Sequence, residues 1–435
     1  MKPSFKTIMA AFLALFIASA AAAQTFTAAL RGTVTDPSGA AIPGAKVVIT
    51  EVERNIDRET TTDAEGRYAF FALPPGRYSL SVEAGGFRKY VQSDFTLAVQ
   101  QQATINVQLQ VGDVTTTVEV TGQAPLLNTT MASLGQVIDN KYILSLPNLG
   151  RDSLALVYLT PGVVGSAGRR GDTNTNFVAG GARNSTSDVL VDGLTVTTVE
   201  QNSGITDLKY KPSVDAVQEF KMQTNFFPAE YGQTGGAVIN VVTKSGTNEL
   251  HGVAFEYHNN NRLNTAPYFR SATFKMPKTT QNIFGGTLGG PVIKDKLFYF
   301  FSFEGTYEGT GYSGNYSVAP QDFRNGDFSK WAGYSIVYDP ATAPPNQAAN
   351  RQPFPGNVVP KSRWNPIFPD IYAKMPGPNQ VSPTDPNNLQ GNYFALGVLS
   401  LRRRQYDFKS NWAATSKLMV WGKYSRMDAP VSGVY

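Results

Sequence analysis

Two histidines, His251 and His258, stand seven residues apart in a stretch that alternates like a β-strand. Odd spacing puts them on opposite strand faces. The chain has no cysteine and no third histidine, so the ligand count of a metal site is not reached. Asp188 and Asp192 bracket Val189 to Val191. Four apart on a strand they share a face, but ~13 Å separates them, too far for an acid/base pair. Gly180-Gly181 and Gly235-Gly236 precede no Lys-Ser/Thr pair, and no G-x-G-x-x-G opens a helix, so phosphate-cradling chemistry is not expected. Arg402-Arg403-Arg404 has the charge to meet anionic lipopolysaccharide, but a charged strand end in water is the favoured reading. The expectation is therefore no catalytic group, no metal and no cofactor.

What remains is main-chain chemistry. Val114 to Thr121 is rich in Thr and Val and ends in Val118-Glu119-Val120-Thr121-Gly122. An extended, exposed strand of this kind can add to the edge of a partner's sheet, with backbone hydrogen bonds supplying affinity. The alternative is an ordinary last strand or a linker.

The elements that must position such a segment are short strands. Lys2 and Lys6 open the chain, an apolar run follows to Ala23, and Ala21-Ala22-Ala23 precedes Gln24. That order predicts a signal peptide over residues 1–23, cut between Ala23 and Gln24. No later run of 18 apolar residues exists, so a membrane role would have to use strands. Losing Lys2 and Lys6 takes the formal charge from +5 to +3. With no basic stripe interleaved with aromatics, nucleic acid is not an expected partner. An exported chain without cysteine must be held by core, sheet or lipid burial. Its 40 Gly, 27 Pro, 20 Tyr and 26 Phe suit a mainly β chain with many turns.

Residues 24–111 read as a β-sandwich. Asp36-Pro37-Ser38-Gly39, Asp63-Ala64-Glu65-Gly66 and Pro74-Pro75-Gly76 are turns between β-branched and aromatic runs. Thr104 to Gln110 alternates, with Ile105, Val107 and Leu109 on one face. Gly32-Thr33-Val34-Thr35-Asp36, Ile42-Pro43-Gly44-Ala45, Gly66-Arg67-Tyr68 and Leu73-Pro74-Pro75-Gly76-Arg77-Tyr78 resemble the carboxypeptidase regulatory-like domain. That resemblance implies a carbohydrate-binding-like fold. A spacer without ligand is favoured over a glycan-binding module, because fold does not settle function.

Residues 112–246 resemble the plug of TonB-dependent outer-membrane receptors. The residues that carry this are Leu146 to Asp152, Leu159-Thr160-Pro161-Gly162-Val163, Gly180 to Asn184, Val189-Leu190-Val191-Asp192-Gly193 and Tyr231 to Gly246. Ser213 to Phe220 reads as a short capped helix leading to a strand at Lys221–Thr224. The family often has an Arg-Gly pair where this chain has Gly180-Gly181-Ala182-Arg183. The resemblance implies that Thr117, Val118, Glu119, Val120 and Thr121 are a TonB box, read by a periplasmic TonB-like energy-coupling protein.

Residues 247–435 read as the first strands of an antiparallel transmembrane barrel. Val253, Phe255 and Tyr257 share one face and Ala254, Glu256 and His258 the other, as in a strand with apolar residues out and polar residues in. Ile283–Gly290 and Lys296–Glu304 predict a hairpin, and Leu297 to Phe303 an aromatic strand at a lipid interface. Tyr406, Phe408 and Trp412 oppose Asp407, Lys409 and Asn411. Residues 305–400 are expected to be a long extracellular loop, and parts of it, among them Gly326-Asp327-Phe328-Ser329, Tyr338-Asp339-Pro340 and Arg363, resemble the Oar-like branch of the same receptors. About five strands can be found where a plugged barrel has about 22, so a longer gene product, of which this chain is a fragment, is expected.

The expected fold is thus mainly β: an N-terminal β-sandwich, an α+β plug domain and an incomplete barrel. The family implies energy-coupled uptake of an unidentified large extracellular ligand, of oligosaccharide or peptide type. It also implies outer-membrane lipid as surroundings and a periplasmic place for the sandwich. A surface-structural or adhesion protein built on the same barrel is the alternative.

Overall fold

A computed structural model describes residues 26–112, 117–120, 134–146, 151–166, 176–183, 186–197, 208–228, 230–232, 234–266, 268–269, 276, 278–331, 333, 335–381, 385 and 389–433. The expected signal peptide with its Ala23–Gln24 cut lies outside the described residues, as do Thr121, Pro147 to Gly150, Asn184 and Gln233. The chain divides into two compact units.

The first unit takes in residues up to 257, with 282–307 and 402–430. It opens with β1 (Ala28–Thr35), β2 (Lys46–Glu51), β3 (Ile56–Thr61), β4 (Arg67–Leu73), β5 (Gly76–Glu83), β6 (Lys89–Leu97), β7 (Gln102–Thr104), β8 (Val107–Gln108) and β9 (Thr117–Val120). They form two sheets, β4-β1-β7 with β8 also on β1, and β3-β2-β5-β6-β9. Alternate side chains of each sheet, including Leu30, Val34, Val47, Ile49, Leu80, Val82 and Leu97, are buried in one apolar core. The turn chemistry is local. The Asp36 carboxylate accepts from the Ser38 and Ala40 N–H groups at 2.8 and 2.9 Å, and Asp63 accepts from Glu65 and Arg67. Gly66 sits at φ +71°, where a Cβ would lie 2.6 Å from the Val34 carbonyl oxygen, so only glycine fits there.

A second core follows. Its sheet runs β10 (Leu134–Asp139), β15 (Val217–Asn225), β16 (Val238–Thr243), β13 (Asp188–Val191) and β14 (Leu194–Thr195), and β11 (Val163–Ser166) pairs with β12 (Asn176–Ala179) beside it. Helix α1 (Asn140–Ser145) is capped by Asp139, whose carboxylate accepts from the Tyr142 N–H at 3.0 Å. The expected helix at Ser213–Phe220 is a single 3-10 turn, Val214–Ala216, capped by Ser213; strand β15 already begins at Val217. A register shift between Val217 and Glu219 lets Val217 enter the core with Phe220 and Met222, and a strand buries them together with Ile239 and Val241 of β16.

The wall strands are β17 (His251–Asn260), β18 (Thr279–Ile293), β19 (Leu297–Tyr316), β20 (Tyr393–Ala413), β21 (Met419–Asp428) and β22 (Val431–Gly433), in sheet order β17 to β21 with β22 beside β20. They are longer than the sequence suggested, because β18 and β19 continue past both ends of the expected hairpin. In β20 the burial pattern is the reverse of a water-soluble protein. Arg403, Gln405, Asp407, Lys409 and Asn411 are buried, while Phe408 and Trp412 are 47% and 51% exposed. Ser302, Glu304 and Thr306 of β19 are likewise buried and Phe301 is exposed. A wall with polar residues inside and aromatics outside is a barrel strand in lipid.

Two readings of the wall are corrected. The Arg151 guanidinium lies 5.0 Å and 4.1 Å from the ring centroids of Phe255 and Tyr257. Their face is therefore turned to the second core, where a cation meets the ring faces, and not to lipid. The aromatic strand is also divided: Phe298 and Phe300 are buried, with Arg54 over Phe298, whereas Phe303 packs on Tyr406 at 5.0 Å on the other face.

The second unit comprises residues 258–281, 308–401 and 431–435. The expected loop at 305–400 narrows to 317–392, because β19 and β20 extend into it. It is not structureless: it holds α2 (Gln321–Arg324), α3 (Phe368–Lys374) and five 3-10 turns among the described residues.

Candidate functional site

The candidate partner segment forms β9. Thr117 to Val120 pairs in parallel with Lys89 to Gln92 of β6, at the edge of the five-stranded sheet. Its only side-chain contact among those described is Ser93 to Glu119, 3.2 Å. The outer edge of β9 carries main-chain groups of a kind a further strand can pair with.

The turn after β6 meets the second core. The Val99 N–H donates to the Glu219 carboxylate, Lys221 reaches the Gln100 carbonyl at 3.5 Å, and Gln100 and Asn240 both donate to the Tyr231 hydroxyl. Glu219, Lys221 and Gln223 share one face of β15, and Phe220 and Met222 the other. Burial pushes the Glu219 carboxyl up to about 7, against the Val99 N–H, which lowers it; Asp139 adds to the rise and Lys221 opposes it. The Gln223 amide and the Asn240 Oδ1 are buried without a hydrogen-bond partner.

Against the wall, Asp192 is the centre of charge. It follows β13 at φ +49°. Thr243 donates to it from its N–H at 3.0 Å and its Oγ1 at 2.6 Å. From β20 and β21, Lys409 and Lys423 reach it at 3.0 and 3.2 Å. Burial alone would raise the Asp192 carboxyl, but the two lysines and Thr243 outweigh it and hold it at about 2. Asp407 joins the same network, accepting from Tyr210 and from Ser425. A second network pairs Arg151 with Asp215 and Arg403 with Glu304, the latter at 3.1 Å.

The sequence reading missed these networks. Asp192 was weighed with Asp188, which instead accepts from Thr195 and Thr197, so the two carboxylates have separate tasks. Arg403 is 5% exposed and ion-paired, which corrects the reading of Arg402-Arg403-Arg404 as a strand end in water; only its neighbours are exposed. The available signal was the alternation of Arg403, Gln405, Asp407 and Lys409 on one strand face. His251 and His258 both lie on β17. Among the described residues no cluster of three His, Cys, Asp or Glu could hold a metal.

Comparison with known proteins agrees with this architecture. Residues 29–110 match the carboxypeptidase regulatory-like domain and residues 242–433 the outer membrane beta barrel domain. The TonB-dependent transporter Oar of Myxococcus xanthus is 32% identical over 311 residues, 66% of this chain. The chain spans 27% of that relative's length. Similar solved structures include the outer membrane transporter YddB from Escherichia coli, at 11% identity and TM-score 0.41, covering 68% of this chain and 33% of that one. Another is the siderophore receptor PirA from Acinetobacter baumannii, at 17% identity and TM-score 0.36, covering 71% and 33%. The homology places the protein in the Gram-negative outer membrane. The chain is a homologue of the TonB-dependent transporter Oar over 66% of its length, with a carboxypeptidase regulatory-like domain followed by an outer membrane beta barrel domain.

Proposed function

We propose that the chain serves energy-coupled uptake of a large extracellular ligand across the outer membrane. Residues 112–246, whose core is built on β10 to β16, act as the plug, and Thr117 to Thr121, ahead of that core, is the segment that a periplasmic TonB-like protein pulls. The sandwich, residues 24–111, stands on the periplasmic side. The observation that carries this reading is the inverted burial of β20. Its polar face grips the plug through Lys409 and Asp192, while its aromatic face is left for lipid. The plug is thus fastened by ionic contacts that a mechanical pull can exchange for water, beside a small apolar cluster of Phe26, Val99 and Val242 with Trp421. Support for the coupling segment is its edge position on the sandwich, joined by one short parallel ladder.

Deleting Val118 to Thr121 in the whole receptor tests the coupling. Uptake is expected to stop while ligand binding at the cell surface stays unchanged. Unaltered uptake would overturn the assignment of this segment. A receptor that binds its ligand but never accumulates it, with the segment intact, would favour adhesion.

A further inference from the structure

The long loop of the second unit encloses a cavity of about 220 Å3. Phe323, Phe328, Trp364, Phe368 and Tyr372 supply its rings, and Arg324 and Arg363 its charges. Among the described residues no carboxylate lines it. Gly326, from the stretch that resembles other Oar-like loops, sits at φ +79°, where a Cβ would lie 2.6 Å from the Val359 carbonyl oxygen and 3.0 Å from the Trp364 ring. The wall is therefore shaped by a residue that has no substitute.

The polar atoms of this wall are mostly spoken for. The Trp364 Nε1–H donates to the Val359 carbonyl at 3.1 Å. Arg324 donates to the carbonyls of Ala319, Tyr372, Met375 and Pro376. Its positive charge is thus fixed in place with neutral acceptors and lies over the Tyr372 ring at 5.5 Å. Arg363 shares Asp339 through one Nη, and its side chain remains 39% exposed. The lining is mainly apolar, and its charged side chains are the two arginines.

We propose that this cavity binds a small aromatic carboxylate, with its ring between the loop aromatics and its anionic group on the Arg363 guanidinium. The size sets the ligand: drug-sized sites run to about 300–1,000 Å3, so this one takes a single ring system. Ring stacking supplies affinity, and a charge-assisted hydrogen bond to guanidinium selects an anion over a neutral isostere. The proposal does not depend on transport, since binding is measured on the isolated receptor.

Calorimetric titration with 2-naphthoate and with its neutral isostere 2-naphthamide is the test. 2-Naphthoate is expected to bind saturably and about tenfold more tightly than 2-naphthamide. Arg363→Gln should bring the two within about threefold, leaving 2-naphthamide binding unchanged. Val359→Trp, which fills the cavity, should abolish both. Circular dichroism matching the parent confirms that each variant is folded, and Arg363→Gln, at the exposed rim, keeps the test decisive if Val359→Trp misfolds. Equal affinity for the two probes, no saturable binding, or 2-naphthoate binding undiminished in a folded Val359→Trp variant would overturn the proposal.

Discussion

Asp192 is an anion between two ammonium groups where water does not reach. Replacing it with Asn leaves Lys409 buried without its counter-charge, while Lys423 keeps only the 3.7 Å contact with Asp407, a loss of about 3–5 kcal/mol. Chemical denaturation of the receptor should register that loss, and adding Lys409→Met should recover part of it. Because the Asp192 carboxyl is held low, its contribution is complete above its ordinary value of 3.8 and disappears as pH falls through about 2. Glu219 has the opposite sign. Burial raises its carboxyl from 4.5 to about 7, against the Val99 N–H, so its contribution to stability is complete below pH 4.5 and is lost as pH rises through about 7. The range amounts to on the order of 3 kcal/mol. Hydrogen-exchange protection at the turn after β6, taken relative to the intrinsic exchange rate at each pH, should fall between those pH values in the parent. Glu219→Gln, which still accepts from the Val99 N–H, should make that protection flat with pH; an unchanged pH profile of protection in that variant would refute the assignment. Neither residue was legible as a site in the sequence. Asp192 stands 217 positions from Lys409, and a partner so distant leaves no local pattern.

Strand by strand, period-two alternation carried most of what the sequence revealed. The sandwich strands, the Asp36 and Asp63 turns and the polar and aromatic faces of β20 were all readable, because in each the pattern and the turn residues agree. Two kinds of element were not. Strand ends in β18 and β19 run on through Gly and polar residues, whose own strand preference is weak and which are held by neighbours. The orientation of β17 depends on Arg151, a residue of another domain, and no strand pattern records it. Element-scale tests follow the same division. Leu80 is fully buried in the sandwich, so Leu80→Ala should lower its stability by about 2–5 kcal/mol, seen as an earlier thermal transition. Phe408→Lys, on the exposed face of β20, should cost about 2–4 kcal/mol in a membrane and far less in detergent-free water; comparing folding into lipid vesicles with the parent checks this.

At the scale of the whole molecule, the protein joins three differently fastened parts: a sandwich with an apolar core, a second core held to the wall by buried charge, and a wall that is polar within and aromatic without. The order of these parts was legible because each has its own local signature. How they are fastened was not, since the ionic networks and the contact around Glu219 arise only once the parts meet. Strand β20 is a wall strand between the second core and lipid. The chain has no cysteine of its own, so single cysteines carrying a nitroxide label can be placed in turn from Gln405 to Trp412 in the receptor assembled in its outer membrane. Collision with oxygen, which concentrates in lipid, should be high at Tyr406, Phe408, Ser410 and Trp412 and low at Gln405, Asp407, Lys409 and Asn411. Equal collision rates along the strand, or preferential access of a water-soluble nickel chelate at Phe408 and Trp412, would contradict the account.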